Sequence, residues 1–430
     1  MKELIPQKYG YPLPKPTKTV YSVLRQLVQW IPSGMVQRLA KEHKLDIRKW
    51  SSVSHVVALM YGQLSGCESL NGIVDAARVH ESQWRNIRGA EPPKRNTFSN
   101  ANRRRNAAMA EQLYWEVFEH LITIYPSFGH YKRHKGFLNR LKREIYAIDS
   151  STIKLCLSCI DWAKHRRKKA AAKLHMNLNV GSRLPACAVV EDAGHHDSTK
   201  AEALCAPLKA GDICLADRAY TDFAFLNSLE SRGIFFVVRQ KQNMRMRCTK
   251  KLRQTSRANI ICDELVVPVL KRSKELYPGI LRRVTARVEV DGKLKVMVFL
   301  TNNFDWSATT IAELYRARWA AELFFKELKQ TCQIHDFVGY NENAVRWQIW
   351  IGLLVHLLMR FVSHVAAWEL SFSRLAGIVK AAVWVKRDLV NILKTYGTAH
   401  GRKPNEIPPK PQLLQQYFAF WQLNYGTAGP

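Results

Sequence analysis

Residues 144–149, EIYAID, place Ile145, Ala147 and Asp149 on one side of an extended chain and Tyr146 and Ile148 on the other, which is the two-residue period of a strand. Before them the apolar period is three to four, as in VYSVLRQLVQWI (20–31) and WSSVSHVVALMYGQL (50–64), so a domain boundary is expected near residue 140. After them come two strand-like runs, LHMNLNVG (174–181) and PACAVVEDAG (185–194), a helical STKAEALCAPL (198–208), and the strand DICLAD (212–217). A helix, TDFAFLNSLESRG (221–233), and a β run, IFFVVRQ (234–240), complete the series. Three strands followed by helix, strand, helix and strand make a mixed α/β sheet.

Further β text follows in ELVVPVL (264–270), LRRVTARVEV (281–290) and KLKVMVFLTNN (293–303), with turns at Pro278-Gly279 and Asp291-Gly292. Between Arg239 and Arg287 there are 14 Lys or Arg against 3 Asp or Glu. A small basic β subdomain inserted in the α/β body, suited to phosphates, is expected. The chain then divides into a helical DNA-binding region at 1–140, a first catalytic part at 141–239, the β-rich insertion at 240–305, a second catalytic part at 306–370 and a helical carboxy-terminal region at 371–430. Residues 1–18 read as an extended arm, and residues 371–430 as either a dimer contact or a buttress.

At 430 residues the chain exceeds what one core usually serves. Its 47% hydrophobic content excludes a disordered protein. With 66 Lys and Arg against 35 Asp and Glu, the net charge is +31, a self-repulsion that a polyanion would offset, so nucleic acid is the leading partner. A membrane is the rival, but the most apolar stretch, Ile349 to Trp368, carries His356, Arg360 and His364, and the start lacks an apolar signal core. A cytoplasmic location with no membrane partner is expected. Nine scattered cysteines suit reduced core thiols; Cys156 and Cys159 have no second pair at zinc spacing, and His195-His196 reads as a loop pair.

The segment KRNTFSNANRRRNAAMAEQLYWEVFEHLITIY (94–125) reads as one capped helix whose first turns hold Arg103, Arg104 and Arg105. Short helices leading to a basic helix entry resemble helix-turn-helix modules, or else a plain bundle with a solvated basic face.

Residues 310–330, TIAELYRARWAAELFFKELKQ, read as a helix of about five turns opened by a Thr310–Glu313 capping box. At about 100° per residue, Tyr315, Arg318, Glu322 and Lys329 share a wedge of roughly 60°. Ala317, Ala320, Phe324 and Leu328 lie opposite. Two acids stand at strand positions, Asp149 and Asp217, and carboxylates held together on rigid strands repel unless paired or bound to a cation. Asp149, Asp217 and Glu322, all hard oxygen donors, suit an open Mg²⁺ or Mn²⁺ site rather than zinc. Two such ions would support phosphodiester chemistry.

The spacing Tyr315-x2-Arg318-x3-Glu322-x6-Lys329, with AIDSSTI (147–153) and LADRAYTD (215–222), resembles bacterial DDE insertion-sequence transposases of the YREK type, insertion-sequence family four. MYGQLSGCESLNGIV (60–74) and PPKRNTFSNANRRR (92–105) resemble the helical leader of a subset of these enzymes. The resemblance covers about residues 140–370. It implies a ribonuclease-H-like core interrupted by a β insertion, with Asp149 on the first strand, Asp217 after the fourth and Glu322 on a later helix. It also implies two divalent metals per site, cleavage of transposon ends through a hairpin, and joining to target DNA by a homodimer that pairs two terminal inverted repeats. Tyr315, Arg318 and Lys329 would then grip phosphates, Trp319 would serve the hairpin step by meeting an extruded base, and Trp306 is a weaker candidate for a second aromatic. Arg218 would contact phosphate or pair with Asp217 or Asp222, and the basic runs at 131–144 and 165–173 would follow the DNA backbone. The alternatives are a catalytically silent DNA-binding regulator and a nuclease without strand transfer. All six motif residues are present, which favours activity.

Overall fold

The computed structural model describes residues 16–45, 50–67, 69–129, 141–155, 159, 164–166, 169–194, 196–252, 259–290, 293–331 and 337–396. Most of the basic run at 131–144, Arg167 and Lys168 of the run at 165–173, the first fifteen residues, Cys156, Cys332, His195, the Asp291-Gly292 turn and the tail beyond 396 lie outside the described residues.

Among the described residues ten strands form one mixed sheet: β1 (Ile145–Leu155), β2 (Lys164–Arg166), β3 (Lys169–Asn179), β4 (Pro185–Asp192), β5 (Ile213–Ala216), β6 (Phe235–Arg239), β7 (Met246–Lys251), β8 (Ile260–Pro268), β9 (Leu281–Val290) and β10 (Lys293–Thr301). Their order is β2-β3-β1-β5-β6-β10-β9-β8-β7, with β4 also on β3. β1 runs antiparallel to β3 and parallel to β5, and β5 runs parallel to β6. The expected strand and helix series of 144–240 is present in order, with helices Ala201–Cys205 and Phe223–Ser231 as its crossovers. Short β2 is an addition, and it makes DICLAD the fifth strand in the chain.

The alternation of EIYAID places Ile145 and Ala147 on one buried face and Ile148 on the other, because helices cover both sides of a sheet with parallel strands. On Ile148's side, Leu204, Cys214, Leu226, Leu229, Phe236 and Leu300 form a dry core. Cys205 and Cys214 are buried free thiols, and Cys159 is buried as well.

The basic β segment is not a separate subdomain. β10 returns to pair antiparallel with β6, Phe299 opposite Arg239, so the insertion lengthens the catalytic sheet. Part of its charge is also used internally: across β8 and β9, Arg282 meets Asp263 at 2.7 Å and Arg283 meets Glu264 at 2.7 Å.

Residues 94–125 likewise form two helices, Arg95–Arg104 and Ala108–Ile124, rather than one. Arg103 and Arg104 stand in the last turn of the first helix, not in an opening turn. At the break, Trp347 Nε1 donates to the Arg105 carbonyl at 2.7 Å and Asn343 Nδ2 to the Asn102 carbonyl at 2.9 Å. Asn343 Oδ1 accepts from the Ala107 amide at 3.0 Å. Backbone groups freed by the interruption are thereby satisfied.

Two compact units are distinguished, residues 24–361 and residues 1–23 with 362–430. In the smaller unit, Lys18 bridges Arg387 and the Asp388 amide donates to Thr17 at 2.9 Å, so the end of the expected arm is tied down. Helices Phe372–Ala381 and Leu389–Tyr396 follow there. Among the described residues one helix, Glu342–Val365, is long and apolar enough to cross a membrane, and 78% of its apolar window is buried inside the protein.

Candidate active site

The register of the parallel strands brings the acids together. Ile148 on β1 pairs with Ala216 on β5, and Ala216 pairs with Val238 on β6. The next residues, Asp149, Asp217 and Arg239, therefore stand in a row across three strands, and Arg239 Nη1 lies 3.9 Å from Asp217 Oδ1. Arg239 escapes sequence reasoning, since it looks like one more cation of a basic run; only the strand register singles it out.

The helix carrying the other motif residues begins at Ser307, whose hydroxyl accepts from the Thr310 amide at 3.1 Å. Ser307 rather than Thr310 is therefore the cap. The expected single helix also divides at Arg318, into Ala308–Ala317 and Trp319–Thr331. The Arg318 amide donates to Tyr315 O and the Ala321 amide to Arg318 O, a tightened turn of three-residue bonds. Phe324 and Leu328 are buried as the amphipathic pattern requires, and so is Tyr315 on the supposed polar side, with its ring against Phe299 at 4.7 Å.

Tyr315 donates its hydroxyl to Asp217 Oδ1 at 3.0 Å. Arg318 bridges the other two acids: Nη1 reaches Asp149 Oδ2 at 2.8 Å and Nη2 pairs with Glu322. Lys329 donates instead to the Thr152 carbonyl on β1 at 2.9 Å, which ties the helix to the strand. Burial, with Lys154 nearby, lowers its pKa. Trp319 is 47% exposed beside this cluster.

Burial raises the Asp149 carboxyl to about 6 against the pull of Arg318 and the Ser150 amide, and Glu322 and Asp217 raise it further. Burial likewise pushes the Tyr315 phenol upward. For Arg318 desolvation pulls the pKa down, but Tyr315 and the three acids outweigh it and the guanidinium stays charged.

A polar layer lies behind the row. Ser150 donates to Asp197 at 2.9 Å, and Lys173 meets the same carboxylate at 3.1 Å. Buried His175, opposite Ser150 on β3, lies 2.9 Å from Glu191 and 3.2 Å from the Tyr220 hydroxyl. The Tyr220 amide donates to the Asp217 carbonyl at 3.0 Å, so one network braces the backbone beside both strand acids.

The three expected metal ligands are not gathered into a ready-made cluster in this structure. Among the described residues, no three His, Cys, Asp or Glu side chains stand close enough to hold one ion. The donor set, three carboxylates without nitrogen or sulfur, fits a hard divalent cation in its chemistry, and the guanidinium of Arg318 stands between Asp149 and Glu322 as a positive group in its place.

The remaining candidates scatter. Arg218 is exposed, and among the described residues it pairs with neither Asp217 nor Asp222; Asp222 instead caps the helix Phe223–Ser231. Trp306 is half-buried, packs on Phe235 at 5.3 Å, and its carbonyl accepts from Arg282. Arg103 and Arg104 are exposed. Arg105 is not: it is 5% exposed, and its guanidinium donates to the Trp50 and Ser51 carbonyls, which removes it from the DNA-facing set.

Residues 140–358 match the family model described as the transposase DDE domain, and residues 19–86 match a domain of unknown function. The protein of Sinorhizobium fredii named as transposase y4zB is 27% identical over 57% of this chain and 68% of its own length. The one named for insertion sequence element IS5377 of Geobacillus stearothermophilus is 26% identical over 59% and 65%. Transposase InsG for insertion sequence element IS4 of Escherichia coli is 24% identical over 58% and 55%. The chain thus spans between about half and two thirds of the length of these relatives. The piggyBac transposase in its synaptic complex with hairpin DNA aligns over 97% of this chain and 94% of its own, at 11% identity and a TM-score of 0.42. With half the chain matched by the family model, this protein belongs to the DDE transposase family.

Proposed function

We propose that the chain is a cut-and-paste transposase that cleaves the ends of an insertion sequence and joins them to target DNA, with Asp149, Asp217 and Glu322 as its catalytic carboxylates. The observation that carries this reading is that the helix residues Arg318 and Tyr315 reach the strand acids, Arg318 joining Asp149 to Glu322 and Tyr315 meeting Asp217. The strand order supports a ribonuclease-H-like core, since an antiparallel β1-β3-β4 set is followed by parallel β5 and β6 beside β1.

Asp149, Asp217 and Glu322 would hold Mg²⁺, or Mn²⁺ in its place, in a pair of ions that supplies an activated oxygen nucleophile and neutralises the leaving oxygen. Around them, Tyr315 holds Asp217 in place, and Arg318, released from the two acids, turns its guanidinium to a phosphate of the cut strand. Trp319, exposed at the rim, stacks on a base extruded during a hairpin step. Lys329 holds the helix to β1 and lies within reach of backbone phosphates. Arg218 and the exposed Arg103 and Arg104 meet further phosphates. Two chains act as a homodimer on paired terminal inverted repeats and then on target DNA, in the cytoplasm at the nucleoid.

The test is incubation of the full chain with supercoiled plasmid carrying the element ends, in Mg²⁺ and then Mn²⁺, beside Asp149→Ala and Glu322→Ala. End cleavage by wild type alone is expected, with hairpin-length products on denaturing gels. Equal binding with no cutting by any of them would replace this reading with a DNA-binding regulator, and cutting without joining would leave a nuclease.

A further inference from the structure

We infer that a groove on the helical part of the chain, lined by none of the three candidate catalytic acids, binds the sugar-phosphate backbone of DNA. This rests on the reading of the chain as a transposase. The groove encloses about 360 Å³ between the start of the helix Leu70–Val79, one face of the helix Arg95–Arg104, and residues 337–344.

Arg95, Ser99, Asn102 and Arg103 all line it, and their spacing of four, seven and eight residues puts them on one helix face. Among the described residues no Asp or Glu lines the groove. Among the described residues no carboxylate pairs with Arg95 or Arg103, both of which are exposed. Two cations without counter-charges, in a protein of net charge +31, select an anion.

Asn102 adds an independent observation. It is 2% exposed, and its Oδ1 lies 2.7 Å from Nε2 of buried His55. Burial pushes the His55 pKa down to about 3, so the imidazole is neutral and donates its N–H to that oxygen. The Asn102 Nδ2 is left as a donor with no partner, which a buried amide rarely tolerates. An asparagine whose oxygen is engaged cannot make the paired contact that reads adenine. It can only meet an acceptor, such as a phosphate oxygen. Phe337 and exposed Tyr340 supply an apolar wall suited to deoxyribose.

The spacing favours a polymer over a single ion. Eight residues of helix separate the two arginines by about 12 Å, too far for one phosphate and suited to separate phosphates along one strand.

The experiment measures fluorescence anisotropy of a labelled duplex carrying the terminal sequence beside this chain's own gene, with the full chain, in EDTA, across a salt series. Arg95→Ala with Arg103→Ala is expected to weaken binding roughly tenfold or more near physiological salt. It should also make the dependence of log K on log salt shallower by about two, near 0.9 for each lost phosphate contact. Lys41→Ala with Lys209→Ala removes two exposed lysines elsewhere and should leave both quantities near wild type. Unchanged affinity and slope in the arginine variant overturn the inference, as does an equal loss in the lysine variant or no duplex binding by wild type. A wild type that binds in this arginine-dependent way yet cuts nothing removes the catalytic reading and leaves the groove assignment standing.

Discussion

The helix Trp319–Thr331 presents a glutamate to each of two clusters, and the clusters differ in how their charge is balanced. Glu327 faces inward, 7% exposed, with His356 Nε2 at 3.2 Å and Arg360 paired to it. Burial pushes its pKa up, but these two partners outweigh burial and hold the carboxyl below its ordinary value. Glu322 faces the strand row, where Asp149, Asp217 and Glu322 share Arg318, with Arg239 only at 3.9 Å from one of them. There burial outweighs the pull of Arg318, the neighbouring acids add to it, and Asp149 rises to about 6. A cluster whose charges cancel serves the fold, whereas one left acidic is poised for a further cation.

The largest expected effect separates the two faces by function. Asp149→Ala or Glu322→Ala should reduce end cleavage at least about a thousandfold, and neither should lower the melting temperature by more than a few degrees. Glu327→Ala should do the reverse. Removing one member of a buried pair leaves Arg360 uncompensated and costs about 3–5 kcal/mol, read as a lowered denaturation midpoint. A Glu327→Ala protein that melts like wild type would erase the contrast.

The titrations should carry opposite signs. Asp149 has a folded pKa above its unfolded value, so the native state keeps a proton that the unfolded chain releases between about pH 4 and about 6. Stability from this group therefore falls as pH rises through that window and stays lower at pH 7. Asp149→Asn should raise stability at pH 7 by about 2 kcal/mol and flatten that slope. Glu327 has a depressed folded pKa, so its contribution is complete above about 4.5 and is lost as pH falls through the folded value. Denaturant midpoints across pH 3 to 8 for the two variants would show whether the signs are opposed.

Smaller effects sharpen the picture at Arg318 and Trp319. Arg318→Gln removes the guanidinium that lowers the Asp149 pKa, so the acid limb of the cleavage pH profile should move to higher pH, with activity at pH 7 falling about tenfold. A tenfold loss corresponds to about 1.4 kcal/mol. Trp319→Ala should change stability by less than about 0.5 kcal/mol while hairpin products accumulate unopened.

Much of this was legible in the sequence because it depends on local periods. The alternation in EIYAID and DICLAD marked both strands and put an acid near the end of each hydrophobic run. The features missed depend on contacts between distant residues. Arg105 looks like its two neighbours in a basic triplet, but a helix interruption held by Asn343 and Trp347 accompanies its turn inward. Arg239 gains its meaning only from the alignment of β5 with β6. The division at Arg318 leaves no trace in composition, since Ala, Arg and Trp all suit a continuous helix. The pairing of β10 with β6 joins residues about sixty apart, beyond any period visible in the text.

That last pairing restricts what can be exchanged between related chains. β6 gives one edge to β5 and the other to β10, so excising residues 240–305 as a cassette would leave a row of unpaired amides and carbonyls next to Arg239. An open edge of that kind recruits foreign strands. A shortened version of this protein would have to cap β6 with a substitute strand or lose solubility, and variation is better tolerated at the far margin, on β7.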